Sequence, residues 1–407
     1  MKARMARMVL GAVLAAVVWV SAALAAPLLK DGDRMVFLGD SITEQRIHTR
    51  FVMNYFALRY PAMKVSFRNA GWSGDRSPGA LGRLQRDVLS LKPTVVSICF
   101  GMNDGNYTVF DQGTFDVYMK GMTGLVSELK KANVQVVLLT PGCVDPDKRQ
   151  NGDVYNATLT KFAAGVKELA AKEKLPVFDI NALMLDVQAK AKKDNPQFSM
   201  IPDSVHPNDL GQLVMAYGLL KALGCAEQAS GVVIDAAGGK AEADRCTVAD
   251  LKASDEAVSF TRTDAALPTW FSPQAIPVLK YLPLNEELNK YQFAATGLKA
   301  GKWKLAVEGT EVGTFTEADL AKGVNLATMA GPWQTLGAQV NQLSAEQENL
   351  YFSRWRQLSL TAVPPEAKAE MDALLKKMDD LVADREAQRA KAVAGDHAWK
   401  WTLTLVK

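Results

Sequence analysis

From Arg34 to about Leu223, short runs of β-branched and apolar residues alternate with longer stretches whose apolar positions recur at helical spacing. The runs Arg34–Leu38 (RMVFL), Lys64–Arg68 (KVSFR), Thr94–Phe100 (TVVSICF), Val134–Thr140 (VQVVLLT) and Pro176–Ile180 (PVFDI) predict strands. Several are apolar nearly throughout, as strands covered on both faces should be. Helical patterns separate them at about 47–59, 80–91, 114–132 and 154–173, with another at about 208–223. Strand and helix in this alternation predict an α/β domain over residues 27–225, a parallel sheet with helices on both faces.

The pattern changes after Gly224. Ala236-Ala237-Gly238-Gly239 reads as a loop, and Val258–Thr261, Tyr291–Ala294 and Trp303–Val307 are β-like. The last of these meets Thr310–Phe315 across Glu308-Gly309, which predicts a hairpin. Pro364-Pro365 opens a helix in which Met371, Leu374, Leu375, Met378, Leu381 and Val382 supply an apolar stripe. Trp399, Trp401, Leu403 and Leu405 alternate as a closing strand does. Residues 250–407 are therefore expected to form an accessory module, mixed β-rich and helical. Trp303, Phe315, Trp399 and Trp401, at alternating positions, are expected in its core. The module is expected first to stabilise the first domain and shape its surface, with a binding or covering role as the alternatives.

Composition narrows the class. The chain of 407 residues is 48% hydrophobic and 22% charged, which excludes a largely disordered chain and a multi-span membrane protein. Its formal charge of +3 is carried by Lys2, Arg4 and Arg7; without them 44 basic residues face 44 acidic ones, and no basic stripe argues for nucleic acid. Those three charges precede an apolar run from Met8 and then Ala23-Leu24-Ala25, the layout of an export signal. Residues 1–25 are expected to be a signal peptide cleaved after Ala25, which places the protein in the periplasm or outside the cell. The same uncharged stretch, read on to Leu29, is long enough to serve as an uncleaved membrane tether.

Three predicted strands end in short polar loops on one edge of the sheet, where open α/β sheets place their sites. They are Gly39-Asp40-Ser41-Ile42-Thr43, Asn69-Ala70-Gly71-Trp72-Ser73-Gly74-Asp75 and Gly101-Met102-Asn103-Asp104. A fourth loop, Asp203-Ser204-Val205-His206-Pro207, precedes the last helix of the domain. An aspartate three residues before a histidine can hold its Nδ1 and leave Nε2 to face Ser41. A glycine N–H and an asparagine amide are suitable donors for a developing oxyanion. The other two histidines, His48 in a predicted helix and His397 near the C-terminus, are expected in packing or surface roles, since a catalytic base needs a nucleophile and an orienting acid within reach.

Together the blocks GDSIT, NAGWSGD, GMND and DSVHP, in this order, resemble the SGNH (GDSL-type) hydrolase family over about residues 30–225. The resemblance implies a flavodoxin-like fold and a serine ester hydrolase. It implies a catalytic triad of Ser41, Asp203 and His206, and an oxyanion hole of Ser41 N–H, Gly71 N–H and the Asn103 amide. No metal or organic cofactor is needed for that chemistry. Trp72 and Tyr107 are candidate substrate-binding residues, and Glu44, Gln45 and Asn106 give the rim a polar character.

The expected substrate is a short acyl group, acetyl above all, on a carbohydrate. A lipase or thioesterase acting on another small ester, and a catalytically vestigial cell-surface binding protein, are the alternatives. Cys225 and Cys246 flank the domain junction and are candidates to pair in an oxidising compartment. Cys99 and Cys143 are expected to be bystanders. Glu348–Phe352 (ENLYF) resembles an engineered protease site, but Ser353 stands where glutamine is required, so the segment is read as native.

Overall fold

The computed structural model describes residues 26–225, 228–395 and 397–407. The expected export segment, residues 1–25, lies outside the described residues. Among these residues no helix is long and apolar enough to cross a membrane.

The first module runs β1 (Arg34–Gly39), α1 (Ser41–Glu44), α2 (Ile47–Arg59), β2 (Ser66–Gly71), α3 (Ser77–Asp87), β3 (Val95–Cys99), α4 (Gln112–Lys131), β4 (Gln135–Leu139), α5 (Gly152–Glu173), β5 (Val177–Phe178), α6 (Ile180–Asp194) and α7 (Asp209–Ala222). Its strands are all parallel in the order β2-β1-β3-β4-β5, the flavodoxin-like arrangement. Alternation along β1 divides the core: Met35 and Phe37 pack on one side of the sheet, Val36 and Leu38 on the other. Sequence order and sheet order differ at β1, so the loops after β1, β2 and β3 meet at one edge.

The fifth strand is shorter than its apolar run suggests. Asp179 ends it by capping α6, its carboxylate accepting the Ala182 N–H at 3.1 Å. Residue 180 thus begins a helix that the strand pattern conceals.

The second module holds β6 (Gln228–Asp235), β7 (Lys240–Asp244), β8 (Cys246–Ala253), β9 (Ala257–Asp264), α8 (Leu284–Glu287), β10 (Lys290–Thr296), β11 (Lys302–Val307), β12 (Thr310–Thr316), α9 (Glu317–Lys322), β13 (Val324–Asn325), α10 (Pro332–Phe352), α11 (Lys368–Val393) and β14 (His397–Leu405). One sheet is ordered β13-β10-β6-β7 and the other β12-β11-β14-β9-β8. Their shared core contains Trp303 and Trp401, both fully buried, with Phe315 and Trp399 packed against it. The loop at Ala236–Gly239 is the β6–β7 turn, and Glu308-Gly309 joins β11 to β12.

Two features that the sequence leaves open are decided by packing. Cys225 belongs to the core of the first module and Cys246 to that of the second; all four cysteines are free thiols. The stripe on α11 is not a core face: Leu374 is exposed and, of the six residues, only Val382 is buried.

Helix α10 links the modules. Near its start Trp333 is part of the sandwich core, whereas at its other end Tyr351 packs on the face of the parallel sheet. Its inner side buries Ser344, Gln347 and Glu348, so polar residues break the apolar periodicity that would have announced it. A six-residue π-turn, Ser353–Leu358, follows and places Trp355 against the parallel sheet, where its indole N–H reaches Asp87 at 3.1 Å.

Candidate active site

Asp40 leaves β1 in extended geometry and caps α1, its Oδ1 accepting the Ile42 N–H at 2.9 Å. This sets Ser41 at the first position of a helix on the carboxyl edge of the sheet. Burial raises the Asp40 carboxyl to about 7, with Asp104 and Asp75 nearby adding to the rise.

The loop before α7 folds around Asp203. Its Oδ1 accepts the backbone N–H of Val205 at 2.9 Å and of His206 at 2.7 Å, with Ser204 held at a positive φ of 77°. Oδ2 lies 2.7 Å from His206 Nδ1, and His206 Nε2 lies 2.9 Å from Ser41 Oγ. Partial burial raises the Asp203 carboxyl, but the donors from His206 and Val205 outweigh it and hold the group below the usual carboxylate range. An ionised Asp203 fixes the proton on Nδ1 and leaves Nε2 to accept the serine hydroxyl. The side chains of His206 and Asp203 are 36% and 56% exposed, so the array is open to a substrate.

Gly71 requires a correction. Its N–H is already donated to Asn69 Oδ1 at 2.9 Å, and a Cβ there would meet the Glu44 backbone nitrogen at 2.2 Å. It is a close-packing glycine under α1 and has no free donor to offer. Gly74, three residues on, has φ +75° and open space around it, and its N–H has no protein acceptor among the described residues. Asn103 sits beside it: its Nδ2 donates to the Asp75 carbonyl at 3.0 Å, while its Oδ1 accepts the Tyr107 hydroxyl at 2.7 Å. That second contact fixes the amide so that one N–H remains free.

Neither predicted aromatic offers a bare face to substrate. Trp72 carries the Arg356 guanidinium 3.5 Å from its ring centroid and packs edge-on to Trp355. It ties the loop after β2 to the second module. Tyr107 is held by Asn103, by the Arg149 guanidinium at 4.5 Å from its ring, and by Tyr155.

His48 is buried in α2 with Nδ1 2.6 Å from Gln212 Oε1, and burial lowers it to about 4. His397 lies in β14 with Nε2 3.2 Å from the Val393 carbonyl. Cys143 is buried, which pushes its thiol up to about 12.

The cleft over Ser41 has a volume of about 380 Å³ and is lined by Glu44, Gln45, Arg46, Ser73, Asp203, His206 and Phe352. Phe352 and Arg46 were not singled out from the sequence. Phe352 is the last residue of the ENLYF segment, and its position beside Ser41 depends on the packing of α10 across the modules. A larger cavity of about 580 Å³ lies between α2 and α11, lined by Met53, Phe56 and Arg389 among others, remote from the serine and histidine.

The sequence agrees with the GDSL-like lipase/acylhydrolase family over residues 37–214. An acetylxylan esterase of Geobacillus stearothermophilus is 25% identical over 218 residues, covering 47% of this chain and 94% of that protein. A solved structure of an acetylxylan esterase from the same organism covers 48% of this chain and 95% of its own, at 24% identity and a TM-score of 0.40. A gut microbial diltiazem-metabolizing enzyme covers 95% of this chain and all of its own, at 26% identity and a TM-score of 0.79. The second module therefore has a counterpart in a solved structure, whereas the esterase relative covers under half of this chain. Residues 37–214, which contain all four blocks, match the GDSL-like lipase/acylhydrolase family, so the first module is that of a GDSL-like hydrolase and the protein is a serine ester hydrolase.

Proposed function

We propose that this protein removes short acyl groups, acetyl above all, from a carbohydrate ester through an acyl-Ser41 intermediate. The carrying observation is the continuous line Asp203–His206–Ser41, with contacts of 2.7 and 2.9 Å, at the open edge of the sheet. His206 Nε2 takes the Ser41 proton as Oγ attacks the ester carbonyl. Ser41 N–H, Gly74 N–H and the free N–H of Asn103 receive the oxyanion. Collapse of the tetrahedral intermediate breaks the bond to the alcohol oxygen, which takes the proton from His206. Water, deprotonated by the same nitrogen, then attacks acyl-Ser41 and releases the acid. Asp203 keeps the imidazole in one tautomer throughout.

The carbohydrate assignment is supported by the acetylxylan esterase relative and by the signal-like N-terminus, which would deliver the enzyme to extracellular glycans. A second reading, a small non-carbohydrate ester, is favoured by the diltiazem-metabolizing neighbour, which shares both modules. Acetate release from acetylated xylo-oligosaccharides, set against hydrolysis of nitrophenyl esters of increasing chain length, decides between them. Preference for acetyl on the sugar supports the first; equal or better turnover of long-chain or drug-like esters overturns it. Export is tested by the N-terminal sequence of the protein recovered outside the cytoplasm, which is expected to begin at Ala26.

A further inference from the structure

The polar groups around Ser41 differ in how much hydrogen-bonding capacity the protein itself consumes. Both acids are occupied. Glu44 Oε2 accepts the N–H of Ser73 at 2.9 Å and its hydroxyl, and Oε1 lies 3.4 Å from Arg356. Asp203 accepts two backbone N–H groups and the His206 ring.

Gln45 is oriented by a chain of contacts from the core. The His48 backbone N–H donates to Gln212 Oε1 at 3.1 Å, which forces Gln212 Nε2 to be the donor toward Ile42 O and Gln45 Oε1. Gln45 Oε1 is thereby occupied at 2.6 Å, and its NH2 group is left over.

Arg46 has the most spare capacity. Its guanidinium lies 4.2 Å from the centroid of the Phe352 ring and gives one hydrogen bond, to the Glu44 carbonyl at 2.9 Å. No carboxylate among the described residues forms an ion pair with it; Glu348 and Glu44 act on it through space, opposed by Arg50. Its backbone adopts φ 61° at the entrance to α2, a sparsely populated conformation for a long side chain. Arg46 is thus the cation in the cleft without an ion-pair partner, and the Gln45 amide beside it adds donors; the cleft's other charge without a counter-ion, Asp203, is taken up by two backbone N–H groups and the His206 ring.

We propose that Arg46, braced on Phe352 and flanked by the Gln45 amide, binds a carboxylate carried by the ester substrate close to its scissile bond. The planar fork of a guanidinium fits a carboxylate with two parallel hydrogen bonds, and stacking on Phe352 holds that plane before substrate arrives. The second module then helps to select the substrate, since Phe352 reaches the cleft only through α10. This inference rests on the esterase reading above and narrows its substrate to acidic esters. The carboxylate can belong to the alcohol, as in an O-acetylated uronic acid, or to the acyl group, as in a hemisuccinate.

The test is kcat/KM of the full chain on two matched pairs: acetylated glucuronic acid against acetylated glucose, and 4-nitrophenyl hemisuccinate against 4-nitrophenyl butyrate. One acid should be preferred by about tenfold or more, chiefly through KM, as expected for a charge-assisted hydrogen-bond pair. The preferred pair identifies which side of the ester bears the charge. Arg46→Gln should lower that preference by about tenfold, and Arg46→Lys should retain part of it. Arg46→Asn, which tolerates the left-handed backbone, is the second variant if the glutamine form melts early. Phe352→Leu should weaken the preference without altering charge. Ratios near one in both pairs, or a preference that survives removal of the arginine, overturn the inference while 4-nitrophenyl acetate hydrolysis leaves the esterase reading intact. Loss of 4-nitrophenyl acetate hydrolysis in the wild-type protein overturns both.

Discussion

Each module contains a hydrogen-bonded cluster of charged side chains, and the two serve opposite ends. In the sandwich, Arg262 and Asp264 are fully buried and 2.9 Å apart. Each guanidinium nitrogen of Arg262 has an acceptor, in Asp264, the Gln292 carbonyl or Ser230, and Tyr291 closes on Asp264 at 2.7 Å. The rings of Tyr291 and Trp401 cover the guanidinium. In the parallel-sheet module, Asp203, His206 and Ser41 form an equally continuous chain, but at an accessible edge with donors left over beside it. The lesson is that a buried cluster with its main groups paired braces a fold, whereas a cluster with unused valence at a sheet edge is equipped for chemistry.

Substitution can break this contrast. The largest effect belongs to Ser41→Ala, which should lower kcat on 4-nitrophenyl acetate by roughly 10⁴–10⁶. Its thermal midpoint should stay within about 1 °C of wild type, since a surface-edge hydroxyl contributes little to packing. Asp264→Ala should show the reverse pattern. It leaves Arg262 buried without its counter-charge and should cost about 3–5 kcal/mol in denaturant unfolding. Asp203→Ala, exposed by comparison, should cost no more than about 1 kcal/mol while abolishing most activity.

Asn103→Ala should lower kcat by about 10²–10³ with folding intact, the usual range for one oxyanion donor. The smallest effect concerns Glu348, buried on α10 where Thr49 donates to it at 2.6 Å. Burial raises its carboxyl from 4.5 to about 7 against the pull of Arg50 and Thr49. The folded state thus holds the proton more tightly than the unfolded chain, and stability should decline as pH rises from about 4.5 through 7. Glu348→Gln should flatten that part of the melting-temperature profile by a few degrees; an unchanged slope would show that Glu348 is not its source.

The sequence made the parallel sheet readable because buried strands carry continuous apolar runs and the polar blocks follow directly at their ends. DSVHP was legible for a local reason: an aspartate three residues before a histidine needs only one loop to reach it. What could not be read depends on packing between distant segments. Gly71 and Gly74 stand in one loop, and only the approach of α1 shows which of them is crowded and which has a free N–H. Trp72 looks like a platform until Arg356, far along the chain, is found stacked on it. Helix α10 lacks a clean apolar stripe, because Ser344, Gln347 and Glu348 share its buried side with Val340, Leu343 and Tyr351, and Phe352 is concealed with it.

The central claim is that Ser41 is the residue at which acyl transfer occurs. Its most direct test is fluorophosphonate labelling of the folded full-length protein, followed by peptide mass spectrometry. The account predicts one adduct per chain, on the peptide containing Gly39-Asp40-Ser41, absent from Ser41→Ala and strongly reduced in His206→Ala. An unlabelled wild-type protein, or an adduct on another residue that persists in Ser41→Ala, would contradict it.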